Sequence, residues 1–319
     1  MRHIFIINPA AGKKNVTNRV RAEIEGVCAR RGIAPLIFIS EYNGYERFIA
    51  EKMCSLFTDE DIRFYCIGGS GTLTQTFSGI DDEPNRQIAC YPTGLSNDFL
   101  KCYQGGNRGF QNIENLLDGR IDELDYIKVI GCCKALDFVS TGLGNSMFES
   151  EGLFSLLSET SSTAAYGIGV PYDLLRNADT DYDITIDGTD YSGHYALVLA
   201  MNGRVFGNRI TIDQDIYPDD GIMNIYLFHQ MSPTKQAGTY FNLYFGRNKD
   251  LEGRYTMVKG RRMILSRKDH ERFSLNADGD GFNPEETTLD IRLVPSGAKF
   301  VAPQHTALIE PNEETALTK

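Results

Sequence analysis

The sequence predicts two successive domains, an α/β doubly wound parallel-sheet domain followed by an antiparallel β-sandwich. Three observations predict this. Up to about residue 123, short β-rich apolar runs alternate with stretches of helical spacing, which is the pattern of a parallel sheet with helices on both faces. After about residue 125, strand follows strand between close turn signals. And 319 residues suffice for two cores of ordinary size.

In the first half the apolar runs are 3–7, 36–40, 63–67 and 87–91. Between the first two, Val16, Val20, Ile24 and Val27 recur at helical spacing behind Asn15, a suitable N-cap. In the second half the strand-like segments are 126–130, 134–139, 182–186, 191–201, 222–228, 254–258, 261–266, 272–275 and 289–293. Helical patches interrupt them at 151–158, 164–176 and 233–245. The boundary is placed at 123–125, giving a first domain of 1–124, completed by about 303–319, and a second of 125–302.

Composition narrows the function. A hydrophobic fraction of 41% and a charged fraction of 24% suit compact folding. A net charge of −11 argues against nucleic acid as partner, because phosphate backbones are held by clustered Lys and Arg. A single nucleotide remains compatible, since helix N-termini and a metal ion supply local positive potential. Seven irregularly placed cysteines, with Cys132 and Cys133 adjacent, suggest reduced thiols. No apolar run reaches the roughly 18 residues that a membrane span needs, so a cytoplasmic protein with peripheral contact at the inner membrane face is expected. The five histidines lack paired metal spacing, and nothing in the pattern fixes an oligomeric state.

In an open parallel sheet, ligands bind at the carboxyl ends of the strands. Three loops there are rich in glycine. The first strand leads into Asn8, Pro9, Ala10, Ala11 and Gly12; the third into Gly68, Gly69, Ser70, Gly71, Thr72 and Leu73; the fourth into Gly94, Leu95, Ser96, Asn97 and Asp98. Glycine lets the backbone approach a phosphate closely and turn successive amides toward one anion. One such loop is usually just a tight turn, but three on one edge make a phosphate cradle. The P-loop, GxGxxG and protein-kinase patterns are missing.

Residues 8–12 resemble the NPxxG loop of the diacylglycerol kinase and sphingosine kinase family of lipid kinases, residues 68–72 its GGDGT signature, and residues 92–99 its PxGTxNDF signature. Asn202-Gly203, Asp219-Asp220-Gly221 and Asp278-Gly279-Asp280 are similar to the family's NG, DDG and late DGE segments, in family order. The resemblance implies ATP as phosphoryl donor, a lipid alcohol as acceptor and Mg2+ as metal. It places nucleotide contacts on Asn8, Pro9, Ala10, Ala11, Gly12, Ser40, Gly68, Gly69, Ser70, Gly71, Thr72, Leu73, Gly94, Leu95, Asn97 and Asp98. It places the metal-associated segment on Tyr217, Asp220 and Ile222, the first and last through backbone oxygens, and the acid/base carboxylate on Asp280. Phosphoryl transfer needs a hard cation and a carboxylate to take the hydroxyl proton, and Asp219, Asp220, Asp278 and Asp280 are groups of the right kind.

Three positions depart from the family pattern. Ser70 stands where the signature has an acid, Leu95 where it has threonine, and Asp280 where it has glutamate. Serine cannot serve as a carboxylate base. Three readings therefore stay open: a lipid kinase, a nucleotide or lipid sensor without turnover, and an enzyme that phosphorylates a soluble dinucleotide such as NAD. An apolar run containing Phe148, Leu153, Phe154, Leu156 and Leu157 is either core or the entrance for an apolar acceptor. The basic residues Lys259, Arg261, Arg262, Arg267 and Lys268 are either a turn between strands or a patch facing lipid headgroups.

Overall fold

The structure, a computed structural model, describes residues 1–12, 15–94, 97–143, 180–206, 210–244, 251 and 253–310. It divides into two compact units, one of Met1–Leu124 with Ser296–Glu310 and one formed by Asp125–Pro295. The apolar run at 148–157 and the helical patches at 151–158 and 164–176 lie outside the described residues.

The first unit is built on β1 (Arg2–Ile7), β2 (Leu36–Ile39), β3 (Ile62–Gly68) and β4 (Arg86–Pro92). They stand in the order β2-β1-β3-β4, all parallel, with Ile4 opposite Leu36 and Phe64, and Phe64 opposite Ile88. Residues 4–7 and 64–67 are wholly buried, as expected of strands covered on both faces. Helix α1 (Thr17–Arg31) forms because Val20, Ile24 and Val27 make one apolar stripe. Asn15 caps it as its spacing suggests, accepting the Thr17 N–H at 2.9 Å, although the boundary residue is Val16. The helix ends where the Ile33 amide bonds back to the Cys28 carbonyl at 2.9 Å. Helices α2 (Tyr45–Leu56) and α3 (Ser70–Gly79) bury Ile49, Ala50 and Met53, and Leu73 and Phe77. In α4 (Ile113–Leu117), Asn112 caps the start, and Arg63 of β3 donates to the last carbonyls, those of Leu116 and Leu117.

The remaining edge of this sheet is filled from far along the chain. The long strand running through Thr288–Ala302 begins in the second unit and ends beside β4, parallel to it, with Phe300 opposite Ile88 and Val301 opposite Ala89. The return to the first unit therefore starts at Ser296 and not near residue 303. The transfer is hidden in sequence because it falls inside one strand, at the exposed stretch Pro295-Ser296-Gly297. Phe300 anchors the return: it is fully buried, with ring centroids of Phe99 at 5.1 Å and Tyr103 at 5.8 Å.

The second unit is antiparallel throughout its described pairings. It contains β5 (Arg120–Val129, which enters it at Asp125), β6 (Cys133–Ala135), β7 (Phe138–Gly142), β8 (Thr180–Ile186), β9 (Thr189–Asp190), β10 (Gly193–Met201) and β11 (Met223–His229). It continues with α5 (Pro233–Tyr244), β12 (Tyr255–Gly260), β13 (Arg262–Arg267), β14 (Leu275–Ala277), β15 (Asp280–Phe282) and the start of β16 (Thr288–Ala302). Strands follow the path β15-β14-β7-β10-β8-β13-β16, while β11 pairs with both β10 and β12. The segment 134–139, read as one strand, is two, broken at Leu136-Asp137. Along β10 and β11, side chains alternate between two cores. Val198, Ala200, Ile225 and Leu227 face the sandwich interior, whereas Leu199, Met201, Tyr226 and Phe228 pack with Leu243 of α5 and with Ile212 and Ile216. Both faces are covered, which is why these strands read as continuous apolar runs.

Among the described residues no helix is long and apolar enough to cross a membrane. All seven cysteines are free thiols, and burial pushes that of Cys66 up to about 12. Replacing Phe300 with Ala should cost about 3–5 kcal/mol of stability in urea unfolding. A loss below about 1 kcal/mol would show that this ring does not hold the returning segment in place.

Candidate functional site

In the first unit the four parallel strands end on one edge, and their loops are laced together by backbone bonds. The Asn8 amide donates to Ile67 O at 2.9 Å and the Ser40 amide to Ile7 O at 2.8 Å. Gly68 O accepts from both Thr93 (2.9 Å) and Gly94 (3.1 Å). Asn8 organises the first loop with its side chain: Oδ1 accepts from the Ala10 amide at 2.9 Å, and Nδ2 donates to Thr72 Oγ1 of α3 at 3.0 Å. Pro9, Ala10, Ala11 and Gly12 follow. Gly12 has φ +85°, and a Cβ there would lie 2.2 Å from the Thr93 carbonyl oxygen, so the first and fourth loops touch only because residue 12 has no side chain.

Helix α3 opens this edge. Gly69 precedes it in extended backbone that any residue adopts, and no side chain caps it. The first helical bond runs from the Leu73 amide to Gly69 O at 3.2 Å, so the amides of Ser70, Gly71 and Thr72 have no partner within the helix. With no acidic residue in the first turn, this end carries the positive pole of the helix dipole. The Ser70 hydroxyl accepts the Asp98 amide at 3.3 Å, Asn97 Nδ2 donates to Gly94 O at 3.1 Å, and the Asp98 carboxylate pairs with Lys101 at 2.6 Å. Ser40 donates its hydroxyl to Glu46 Oε1 at 2.8 Å. Burial holds the Glu46 carboxyl above its ordinary range, a shift that the Ser40 bond opposes. Of the residues expected at the nucleotide, Leu95 lies outside the described residues; the others stand on this one strand-end edge.

The second unit holds the acidic segments. The turn containing Tyr217, Pro218, Asp219, Asp220, Gly221 and Ile222 is gripped at both ends by Asp125: its amide donates to Pro218 O at 2.7 Å, and its carboxylate accepts from the Gly221 amide at 2.6 Å. Arg261 Nε donates to Gly221 O at 3.0 Å, and within the turn Asp220 Oδ1 accepts from the Ile222 amide. Asn202 ties this region together, Nδ2 donating to the carbonyls of Asp125 (2.9 Å) and Leu136 (2.8 Å). The amides of Asn202 and Gly203 both donate to Asp137 O, and a Cβ on Gly203 would lie 1.8 Å from Asp137 Oδ1.

Asp278 and Asp280 have different tasks. The buried Asp278 carboxylate accepts the amides of Leu136, Asp137 and Phe138 at 2.8–3.0 Å, so it holds the break between β6 and β7. It occupies the turn of the β14–β15 hairpin at φ +51°, a conformation that Asp tolerates. Asp280 opens β15 and is partly exposed, and its Oδ1 accepts the adjacent Gly281 amide. Of the two, Asp280 is the more exposed.

Among the described residues no three His, Cys, Asp or Glu side chains converge as a metal cage. The 217–222 turn offers two carboxylates, Asp219 and Asp220, and backbone carbonyls. This all-oxygen donor set fits a hard ion that keeps several waters, as Mg2+ does. The basic residues at 259–262 form the turn between β12 and β13, where Asp187 accepts the amides of Arg261 and Arg262. Arg262 and Arg292 share Asp290, and their hydrogen bonds hold that carboxyl far below the usual range.

Two family models match in succession: the diacylglycerol kinase catalytic domain at residues 2–129, and the YegS C-terminal NAD kinase beta sandwich-like domain at 153–302. The chain belongs to the diacylglycerol kinase-like family. It is 27% identical over 255 residues to a candidate lipid kinase of Staphylococcus aureus strain bovine RF122, covering 76% of this chain and 77% of the relative. A protein of the same description from strain MSSA476 matches equally. Two solved structures from Bacillus anthracis strain Sterne share the fold. One, of a candidate diacylglycerol kinase, has TM-score 0.69 at 18% identity and covers 95% of this chain and 98% of its own. The other, of a diacylglycerol kinase, has TM-score 0.67 at 17% identity and covers 97% and 98%.

Asp125, Asp137 and Glu46 escaped the sequence reading. Asp125 stood at the domain boundary, and a lone acid there gave no signal. Asp278→Asn should destabilise the protein by about 1–3 kcal/mol, since an amide nitrogen would face backbone donors in a buried site. Asp280→Asn should leave unfolding within about 0.5 kcal/mol of the parent. Equal losses in the two variants would show that Asp278 is no more a structural strut than Asp280.

Proposed function

We propose that the protein is an ATP-dependent lipid kinase, transferring the γ-phosphoryl group to a hydroxyl of diacylglycerol, a sphingoid base or a related lipid. The observation that carries this reading is the uncapped start of α3, set among strand-end loops that touch through Gly12 and Thr93. Such an edge binds phosphate through backbone amides. Family membership and relatives named as candidate lipid kinases support the same reading.

In this reading, residues 8–12, 68–73, Gly94, Leu95, Asn97 and Asp98 line the nucleotide, the amides at the start of α3 taking its phosphates, with Ser40 at the neighbouring strand end. Tyr217, Asp220 and Ile222 hold Mg2+, which when bound neutralises charge on the phosphates. Asp125 and Arg261 keep that turn in shape. The Asp280 carboxylate takes the proton of the lipid hydroxyl as its oxygen bonds to phosphorus and the bond from phosphorus to the departing ADP oxygen breaks. Catalysis is then chiefly positioning and charge stabilisation. The protein would work in the cytoplasm and meet its lipid by peripheral contact with the membrane.

Incubation with γ-labelled ATP, magnesium and a mixed lipid extract should give a labelled lipid phosphate. Asp280→Asn should lower the rate by about 10²–10⁴ while nucleotide affinity stays within about twofold. Nucleotide binding with no transfer to any lipid would favour a sensor, and labelling of NAD would favour a dinucleotide kinase. Either outcome would refute the proposal.

A further inference from the structure

The start of α3 carries a chemical peculiarity of this chain. Ser70, its first residue, is 8% exposed, and its hydroxyl oxygen accepts the Asp98 amide at 3.3 Å. A hydroxyl that accepts one hydrogen bond still has a proton to donate. No acidic side chain occupies the first turn of the helix. Asp98, the carboxylate nearest in this hydrogen-bonded chain, is buried against Lys101 at 2.6 Å, so the pair contributes little net charge. Beside it, the Thr93 hydroxyl oxygen is buried and has no hydrogen-bond partner among the described residues. The end of α3 thus presents open amides and a neutral donor, next to a loop whose Thr93 amide donates to Gly68 O.

A carboxylate at position 70 could also accept the Asp98 amide and would suit the helix dipole. It would, however, place a negative charge beside any phosphate bound at the same amides, a repulsion that only an intervening cation relieves. Serine keeps the bond to Asp98 without that charge. We infer that Ser70 is a binding-specificity residue: it donates its hydroxyl proton to a phosphate oxygen at the start of α3, so this chain holds the phosphates of a nucleoside triphosphate with little dependence on a divalent cation. This inference rests on the nucleotide reading above. It concerns nucleotide affinity, and the role proposed above for Mg2+ in the transfer step is separate from it.

The test is titration of the full chain with a ribose-labelled fluorescent ATP, in magnesium and in EDTA, for the parent, Ser70→Ala and Ser70→Asp. Thermal unfolding first confirms that each variant is folded. In the parent, removing the metal should weaken binding by no more than about threefold. Ser70→Ala should weaken binding about tenfold in both buffers, the loss of one hydrogen bond to a charged group. Ser70→Asp should bind at least about tenfold more weakly in EDTA than in magnesium. A parent that loses as much affinity in EDTA as Ser70→Asp, or a Ser70→Ala variant that binds like the parent, overturns the inference while leaving the nucleotide site intact. A parent that binds the probe in neither buffer removes the nucleotide reading and this inference with it.

Discussion

The first amides of a helix cannot be satisfied by the helix itself, and in α3 no side chain of the cap satisfies them either. This requirement organises the first unit. The parallel sheet brings four strand ends to one edge, Gly68 O fixes the 93–94 turn, and Asn8 reaches from the first loop to Thr72 on the helix. Gly12 packs against Thr93 where any side chain would collide. Each contact ties one loop to another and none consumes the amides of Ser70, Gly71 and Thr72. An anion is the partner that such a group accepts most readily.

The second unit solves a different problem, that of holding acidic groups in defined positions without wasting them. Its buried carboxylates at Asp125 and Asp278 are occupied by backbone amides, so they act as struts. Asn202 joins the strut at Asp125 to the break at Leu136-Asp137. Asp280 and Asp220 stand on the turns that these struts define and are less buried. A buried aspartate in a short acidic motif is therefore not interchangeable with its neighbour two residues on.

Much of this was legible in the sequence, because the signals are local. Four apolar runs, the glycine-rich exits of three of them and the helical stripe of Val20, Ile24 and Val27 marked the α/β unit. Turn signals marked the strands of the sandwich. What escaped was non-local. The closing strand crosses from one unit to the other in mid-strand, and Phe300 finds its aromatic partners about 200 residues earlier. Asp125 is a single acid whose role depends on a turn almost a hundred residues later. Asp278 and Asp280 look alike in sequence, and only the bonds to residues 136–138 tell them apart.

The central claim is that the strand-end edge of the first unit binds a nucleotide by its phosphates. Calorimetric titration with ADP and with adenosine isolates that contribution, because the two share base and ribose and differ in the phosphates alone. The account predicts measurable ADP binding and an adenosine affinity at least about 100-fold weaker, the loss of several charge-assisted hydrogen bonds. Adenosine binding as tightly as ADP would contradict it.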